Sequence, residues 1–271
     1  MNNMQRVIKY IAIAFGVFLT ISIISAILSG VLFAGSIISG VNYFNYSDIG
    51  AMREMKVEGR INNIDIDLAI ANLKIKRSEE FKIEYSSDKI NIDIKNNTIN
   101  IWEDNYRMFK RENRKITIYI PNEMYFENIK IKAGVGETNI EELIGNDVDF
   151  EFGVGATTIR NLISNNSTHI SGGVGKIDIS GGVIKNLRLE SGVGESVINC
   201  DLEGLSNINN GIGRLELNLI KSENSYTIIP RVGIGQMTLN GNKCSSDRSY
   251  GTGENTINIE GGIGEIKIRT K

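Results

Sequence analysis

The stretch Val148-Asp149-Phe150-Glu151-Phe152-Gly153-Val154-Gly155-Ala156-Thr157-Thr158-Ile159 decides the fold. Up to Val154 its apolar residues fall on every second position, so Val148, Phe150, Phe152 and Val154 share one face while Asp149, Glu151 and Gly153 share the other. A strand has that period of two. Beyond Gly155 the inward set shifts by one residue, to Thr157 and Ile159. Glycine reaches positive φ without a Cβ clash, so the glycine pair supplies a bulge or corner at which the chain bends while both flanks keep facing one core.

The same tripeptide, Gly-Val/Ile-Gly, recurs as Gly134/Gly136, Gly153/Gly155, Gly173/Gly175, Gly192/Gly194, Gly211/Gly213, Gly233/Gly235 and Gly262/Gly264, with spacings of 19, 20, 19, 19, 22 and 29 residues. Each copy repeats the phase. In the first, Ile129, Ile131, Ala133 and Val135 give way to Thr138 and Ile140; in the last, Ile257, Ile259, Gly261 and Ile263 give way to Ile266 and Ile268. A further apolar residue follows (Leu143, Leu162, Val183 or Leu202), then a turn rich in Asn, Gly, Asp and Ser. One coil thus closes in about 19 residues.

A lone coil buries too little apolar surface to offset the entropy of ordering its backbone, whereas stacked coils share a ladder and a core. The expected fold is all-β, a single-stranded parallel β-solenoid with about 19-residue coils, preceded by one N-terminal transmembrane helix. A stacked antiparallel sandwich is the alternative. Stacking places the inward Val and Ile of each repeat over one another and lets the Asn-rich turns form amide ladders. Residues 48–121 read as a cap of degenerate strands and residues 122–271 as the repeats. Lys267 to Lys271 are expected to form an exposed edge whose charges discourage pairing.

The first segment is read as a membrane anchor. No charge occurs from Tyr10 to Ser47, and Ile11 to Val41 exceeds the length that crosses a hydrocarbon core. Ala34-Gly35-Ser36 offers a cleavage site, but after a far longer apolar run than a secretory signal carries. Arg6 and Lys9 before the span favour a cytoplasmic N-terminus, which puts residues 48–271 outside the cytoplasmic membrane.

An N-terminal span, the strand Ile116-Thr117-Ile118-Tyr119-Ile120-Pro121 and the Gly-Val-Gly units together resemble the bacterial "putative adhesin" family of repeat proteins, a domain of unknown function, over residues 55–271. The resemblance implies a β-strand-repeat solenoid outside the cytoplasmic membrane, among cell-envelope proteins, and brings no catalytic residues. The late spacings of 22 and 29 and the charged insertion Glu103 to Lys115 depart from the pattern.

Composition narrows the chemistry. A net charge of -2 in 271 residues argues against a nucleic-acid binder, and 2 Cys with 1 His argue against a disulfide scaffold or a zinc or haem centre. The glycine motifs lack Gly-x-Gly-x-x-Gly and the Walker lysine, and Gly172-Gly173-Val174-Gly175-Lys176-Ile177 has Ile where a calcium-binding repeat needs Asp. No cofactor and no metal are expected. Outward positions after the corner read Glu137, Ala156, Lys176, Glu195, Arg214, Gln236 and Glu265, which suits cross-coil pairs. His169 reads as a solvated surface residue, and Cys200 as a small core residue rather than a bridge partner of Cys244. The basic and aromatic run Tyr106 to Lys115 carries Arg107, Lys110, Arg111, Arg114 and Lys115; it reads first as a solvated loop, with contact to anionic headgroups or wall polymers as the alternative.

The reading is therefore a non-enzymatic membrane-anchored extracytoplasmic β-repeat protein for adhesion, envelope interaction or envelope-stress sensing. Its expected partners are the membrane and, beyond it, envelope polymers or other membrane proteins. A polysaccharide-active enzyme on the same scaffold is one alternative. A structural partner of other membrane proteins, docked through Gly30, Ala34 and Gly35, is the other.

Overall fold

A computed structural model describes residues 52–104, 114–246 and 248–271; the expected anchor and most of the basic run lie outside these. Alternating apolar sequence becomes strand almost throughout, with one 3-10 turn at Glu223–Ser225. In chain order the strands are β1 (Arg53–Lys56), β2 (Asn63–Ile70), β3 (Asn72–Ser78), β4 (Lys82–Tyr85), β5 (Ile90–Lys95), β6 (Thr98–Glu103), β7 (Lys115–Pro121) and β8 (Phe126–Ile179). There follow β9 (Gly182–Lys185), β10 (Leu187–Glu203), β11 (Leu205–Leu219), β12 (Tyr226–Arg231), β13 (Ile234–Leu239), β14 (Asn242–Lys243) and β15 (Asn255–Arg269). The described part is all-β and solenoid-like. Among the described residues no helix is long and apolar enough to cross a membrane.

Like residues sit over like residues. Strand β10 runs parallel to β11 with Leu189 opposite Ile208, Val193 opposite Ile212 and Ile198 opposite Leu217. On its other side it runs parallel to β8, with Leu189 opposite Ile170 and Ile198 opposite Ile179. Phe150, Ile170, Leu189 and Ile208 before the corner, and Ile159, Ile179, Ile198 and Leu217 after it, are each fully buried. The third wall is closed by Leu143, Leu162, Ile184 and Leu202. Ile184, not Val183, takes the inward place in the third repeat, because a glycine pair at Gly181 and Gly182 delays the phase by one residue. Side chains of the turns bond across layers as the Asn-rich composition suggests. Asn166 donates to Asp147 at 2.7 Å, and Asn186 to the Asn166 carbonyl at 2.7 Å.

The order of layers departs from chain order at both ends. Strand β15, with Gly262 and Gly264, lies between β11 on one side and β12 and β13 on the other. The C-terminal strand is thus paired along both edges and is not the exposed edge expected from Lys267 to Lys271. The outer layer is instead that of Gly233, and residues 242–246 and 248–250 fold against it. There Ile228 and Tyr250 exchange backbone hydrogen bonds at 2.8 and 2.9 Å, and β14 pairs antiparallel with β13. This cover accounts for the longer spacing before Gly262.

The N-terminal end has the same arrangement. Strands β2 and β3 lie directly on β8, with Ile64 opposite Ile129 and Ile75 opposite Ile140, while β6 and β7 form the layer outside them. Between β2 and β3 the residues Ala69-Ile70-Ala71 occupy the place of Gly134-Val135-Gly136. This is a further copy of the repeat, written with alanine. Antiparallel β5 on β6, and β4 with β1 on β7, close the end with the charged edge Arg53, Glu54 and Lys56.

Candidate functional site

The glycine corners stack into one row, and backbone contact explains both glycines of each pair. A Cβ on Gly194 would come within 1.9 Å of the Gly175 carbonyl oxygen, and one on Gly192 within 2.1 Å of that of Gly173. Gly194 also has φ of +140°, a region that side chains rarely adopt. The second glycines Gly136, Gly155, Gly175, Gly213, Gly235 and Gly264 share that conformation. Their partners Gly134, Gly153, Gly173, Gly211, Gly233 and Gly262 share the close approach. At all fourteen of these glycines an added Cβ would meet neighbouring backbone at 2.5 Å or less.

The residue between the glycines is where sequence and structure part. Alternation places Val154 and its equivalents inward; the bend instead puts them at the apex of the corner, between two walls and away from the core. Val135, Val154, Val174 and Val193 are half-buried, while Ile212, Ile263 and Ile234 are 43%, 48% and 72% exposed. Val174, Val193, Ile212, Ile263 and Ile234 are neighbours in register, so these β-branched side chains form a continuous apolar ridge.

Charges beside the ridge neutralise one another. Lys176 and Arg214 lie 3.8 and 3.5 Å from the Glu195 carboxylate between them, the cross-layer pairing that the outward row suggested. Within β15, Lys267 is 2.9 Å from Glu265. Beneath the corners lies a cavity of about 30 Å³ that touches Thr157, Ser191, Ser196 and Asn210. That volume suits one or two waters, not an organic substrate.

Arg114 departs from expectation. It is buried, with Nη1 3.2 Å from Oε1 of Glu103, itself buried, and the other oxygen of that carboxylate accepts from the Ile70 N–H at 2.7 Å. The pair fastens β6 to β7 at the corner position of their layer, where the insertion takes the place of a glycine tripeptide. Arg114 is withdrawn from any surface contact; Lys115 is half-buried in β7, and Arg107, Lys110 and Arg111 lie outside the described residues. A basic residue adjoining a strand, opposite an acidic one at the end of its neighbour, is the signal that separates Arg114 from the rest.

Other carboxylates are committed to the walls. Glu142 is raised by burial, but hydrogen bonds from Asn161 and Arg77 outweigh this and hold its carboxyl below the usual value. Asp201 accepts from the buried Tyr226 hydroxyl at 2.8 Å and lies 2.6 Å from Lys221. Burial and that bond push the phenol up, and the bonds to Asp201 and Glu203 raise the lysine. His169 is half-exposed with Nδ1 3.1 Å from Asp149 in the neighbouring layer. Cys200 is buried and Cys244 half-buried, both as free thiols. Among the described residues no group of three or more His, Cys, Asp or Glu is arranged to hold a metal ion.

Two solved structures are similar in outline. One, described as a putative adhesin from Bacteroides fragilis, is matched over 80% of this chain and 96% of its own at 19% identity and a TM-score of 0.47. The other, described as a putative cell adhesion protein from Clostridium sporogenes, is matched over 82% and 99% at 17% identity and a TM-score of 0.36. No curated protein matches the chain. The model of the Toastrack DUF4097 family matches residues 61–261, most of the strand-rich part, and the chain therefore belongs to that family.

Proposed function

We propose that this chain is a non-enzymatic, membrane-anchored module of the cell envelope, held by residues 1–47, whose parallel β-solenoid of about 19-residue coils (residues 48–271) presents its corner ridge outside the cytoplasmic membrane. The parallel registers on both sides of β10 support the solenoid. The contiguous exposure of Ile212, Ile263 and Ile234 carries the binding role, since a soluble monomer seldom leaves neighbouring large apolar side chains in water without a partner. Because the flanking charges are paired within the chain, the ridge suits a partner with little net charge, such as the sugar faces of an envelope polysaccharide. Arg107, Lys110, Arg111 and Lys115 supply a separate cationic contact for anionic headgroups or wall polymers.

Binding of the full-length chain in nanodiscs to immobilised cell-wall polysaccharide tests this. Replacing Ile212, Ile263 and Ile234 by Asn should weaken binding by about tenfold or more, as expected for the loss of a central apolar cluster. Binding that survives the triple replacement, or release of soluble sugar from the polymer, contradicts the proposal.

A further inference from the structure

Three layers with the same Gly-Ile-Gly corner close the C-terminal end, and their motif alone does not say in which order they stack. Chain order would place Gly233 on Gly211. The structure places Gly262 there instead, and Gly233 outside it. The competition is real during synthesis, because the residues of the Gly233 layer emerge while the edge of β11 is still open, before β15 exists.

We propose that Asn210 selects the order of these layers. It is the residue just ahead of its corner, 7% exposed, and its register partner in β15 is Gly261, which has no side chain. On the other side it faces Ser191. The corresponding residue of the Gly233 layer is Val232, immediately ahead of Gly233. In chain order Val232, a branched apolar residue, would be the register partner of this buried amide, where the observed order places Gly261, which has no side chain.

The amide nitrogen of Asn210 makes no hydrogen bond to another described residue, and the cavity of about 30 Å³ beside it has room for a water. A buried polar group of this kind is well attested as a selector of register and partner in helical assemblies. A second contact depends on the same order. Asn255, at the start of β15, accepts from the Gly204 N–H at 2.9 Å and donates to the Ser225 carbonyl at 3.0 Å, joining the turns of the layers on its two sides. Only a strand lying between those layers makes both bonds.

Disulfide trapping in the full-length chain, with Cys244 replaced by Ser, decides the matter. The pair Ile212→Cys with Ile263→Cys spans one strand spacing, about 4.8 Å, within reach of a disulfide, whereas Ile212→Cys with Ile234→Cys spans two, about 9.6 Å. With Asn210 present only the first pair should close under mild oxidation. In Asn210→Val, and again in Asn210→Ala, the second pair should close in a fraction at least about ten times that in the parent, on the order of a tenth of the molecules. Exclusive closure of the first pair in both variants overturns the proposal. So does failure of Asn210→Ala to fold, which would make Asn210 a packing requirement instead of a selector.

Discussion

The carbonyl oxygen of Gly155 occupies the space that a Cβ on Gly175 would need: an added methyl there would lie 1.9 Å from it. Neighbouring backbone cannot retreat, because each corner is itself pressed between two others. Gly175→Ala should therefore destabilise the domain by more than about 4 kcal/mol in urea unfolding, the range of severe backbone clashes. Gly241→Ala is the control. Gly241 also has positive φ, +84°, but nothing lies within 4 Å of its Cβ direction, so only the backbone cost of about 1–2 kcal/mol applies. Equal losses at the two sites would contradict the stacked-corner account.

Much of this was legible in the chain because strand alternation and glycine have local causes. Phe150, Phe152, Thr157 and Ile159 are buried as their phase requires. Val154 and Ile234 were misread, since alternation describes straight strands and a corner turns its apex outward. Ala69-Ile70-Ala71 carries no sequence marker, because alanine replaces the glycines, although Ile64, Ile66, Leu73 and Ile75 keep the phase. Layer order could not be read at all: it depends on which copy meets Asn210, and the motifs of the copies are alike. Arg114 looked like one member of a basic run until β6 brought Glu103 to it.

Breaking the Glu103 to Arg114 pair removes the carboxylate that faces a buried guanidinium. Glu103→Gln should cost about 3–5 kcal/mol, while Glu103→Gln combined with Arg114→Met, which keeps an acceptor for the Ile70 N–H, should recover most of the loss. Chemical denaturation of the parent and the two variants checks this. Comparable losses in the single and double variants would mean that the pair does not act as a unit.

The two thiols should differ sharply in reactivity. Burial, and next to it the charge of Asp201, push the Cys200 thiol up to about 12, whereas Cys244 is only half-buried, raised by burial and opposed by Arg248. Iodoacetamide at pH 8 should label Cys244 alone in the native protein and both residues in urea. Mass spectrometry that finds Cys200 modified first would contradict the placement of that strand.

Acid should weaken the walls. Glu84, held by its bond from Lys82 against the opposing effect of burial, and Glu216, held by Asn218, Arg269 and Arg214 against the same effect, both sit below the ordinary value of 4.5, as does Glu142. A carboxylate whose folded value is depressed contributes stability that is complete above its unfolded value and lost as pH falls through the folded one. The urea midpoint should therefore be level from pH 7 to about 5 and fall below about 4.5. Glu142→Gln and Glu216→Gln together should flatten that fall; a midpoint that holds steady in acid would contradict the paired arrangement.

The length of the ridge is the most direct test of the stacking itself. Spin labels at Ile70 and Ile234, at the two ends of the row that runs through Val135, Val154, Val174, Val193, Ile212 and Ile263, are separated by seven strand spacings. Pulsed dipolar spectroscopy should give a single distance near 34 Å, on the order of seven times the ladder repeat. A distribution centred below about 20 Å, as two sheets packed face to face would give, would contradict it.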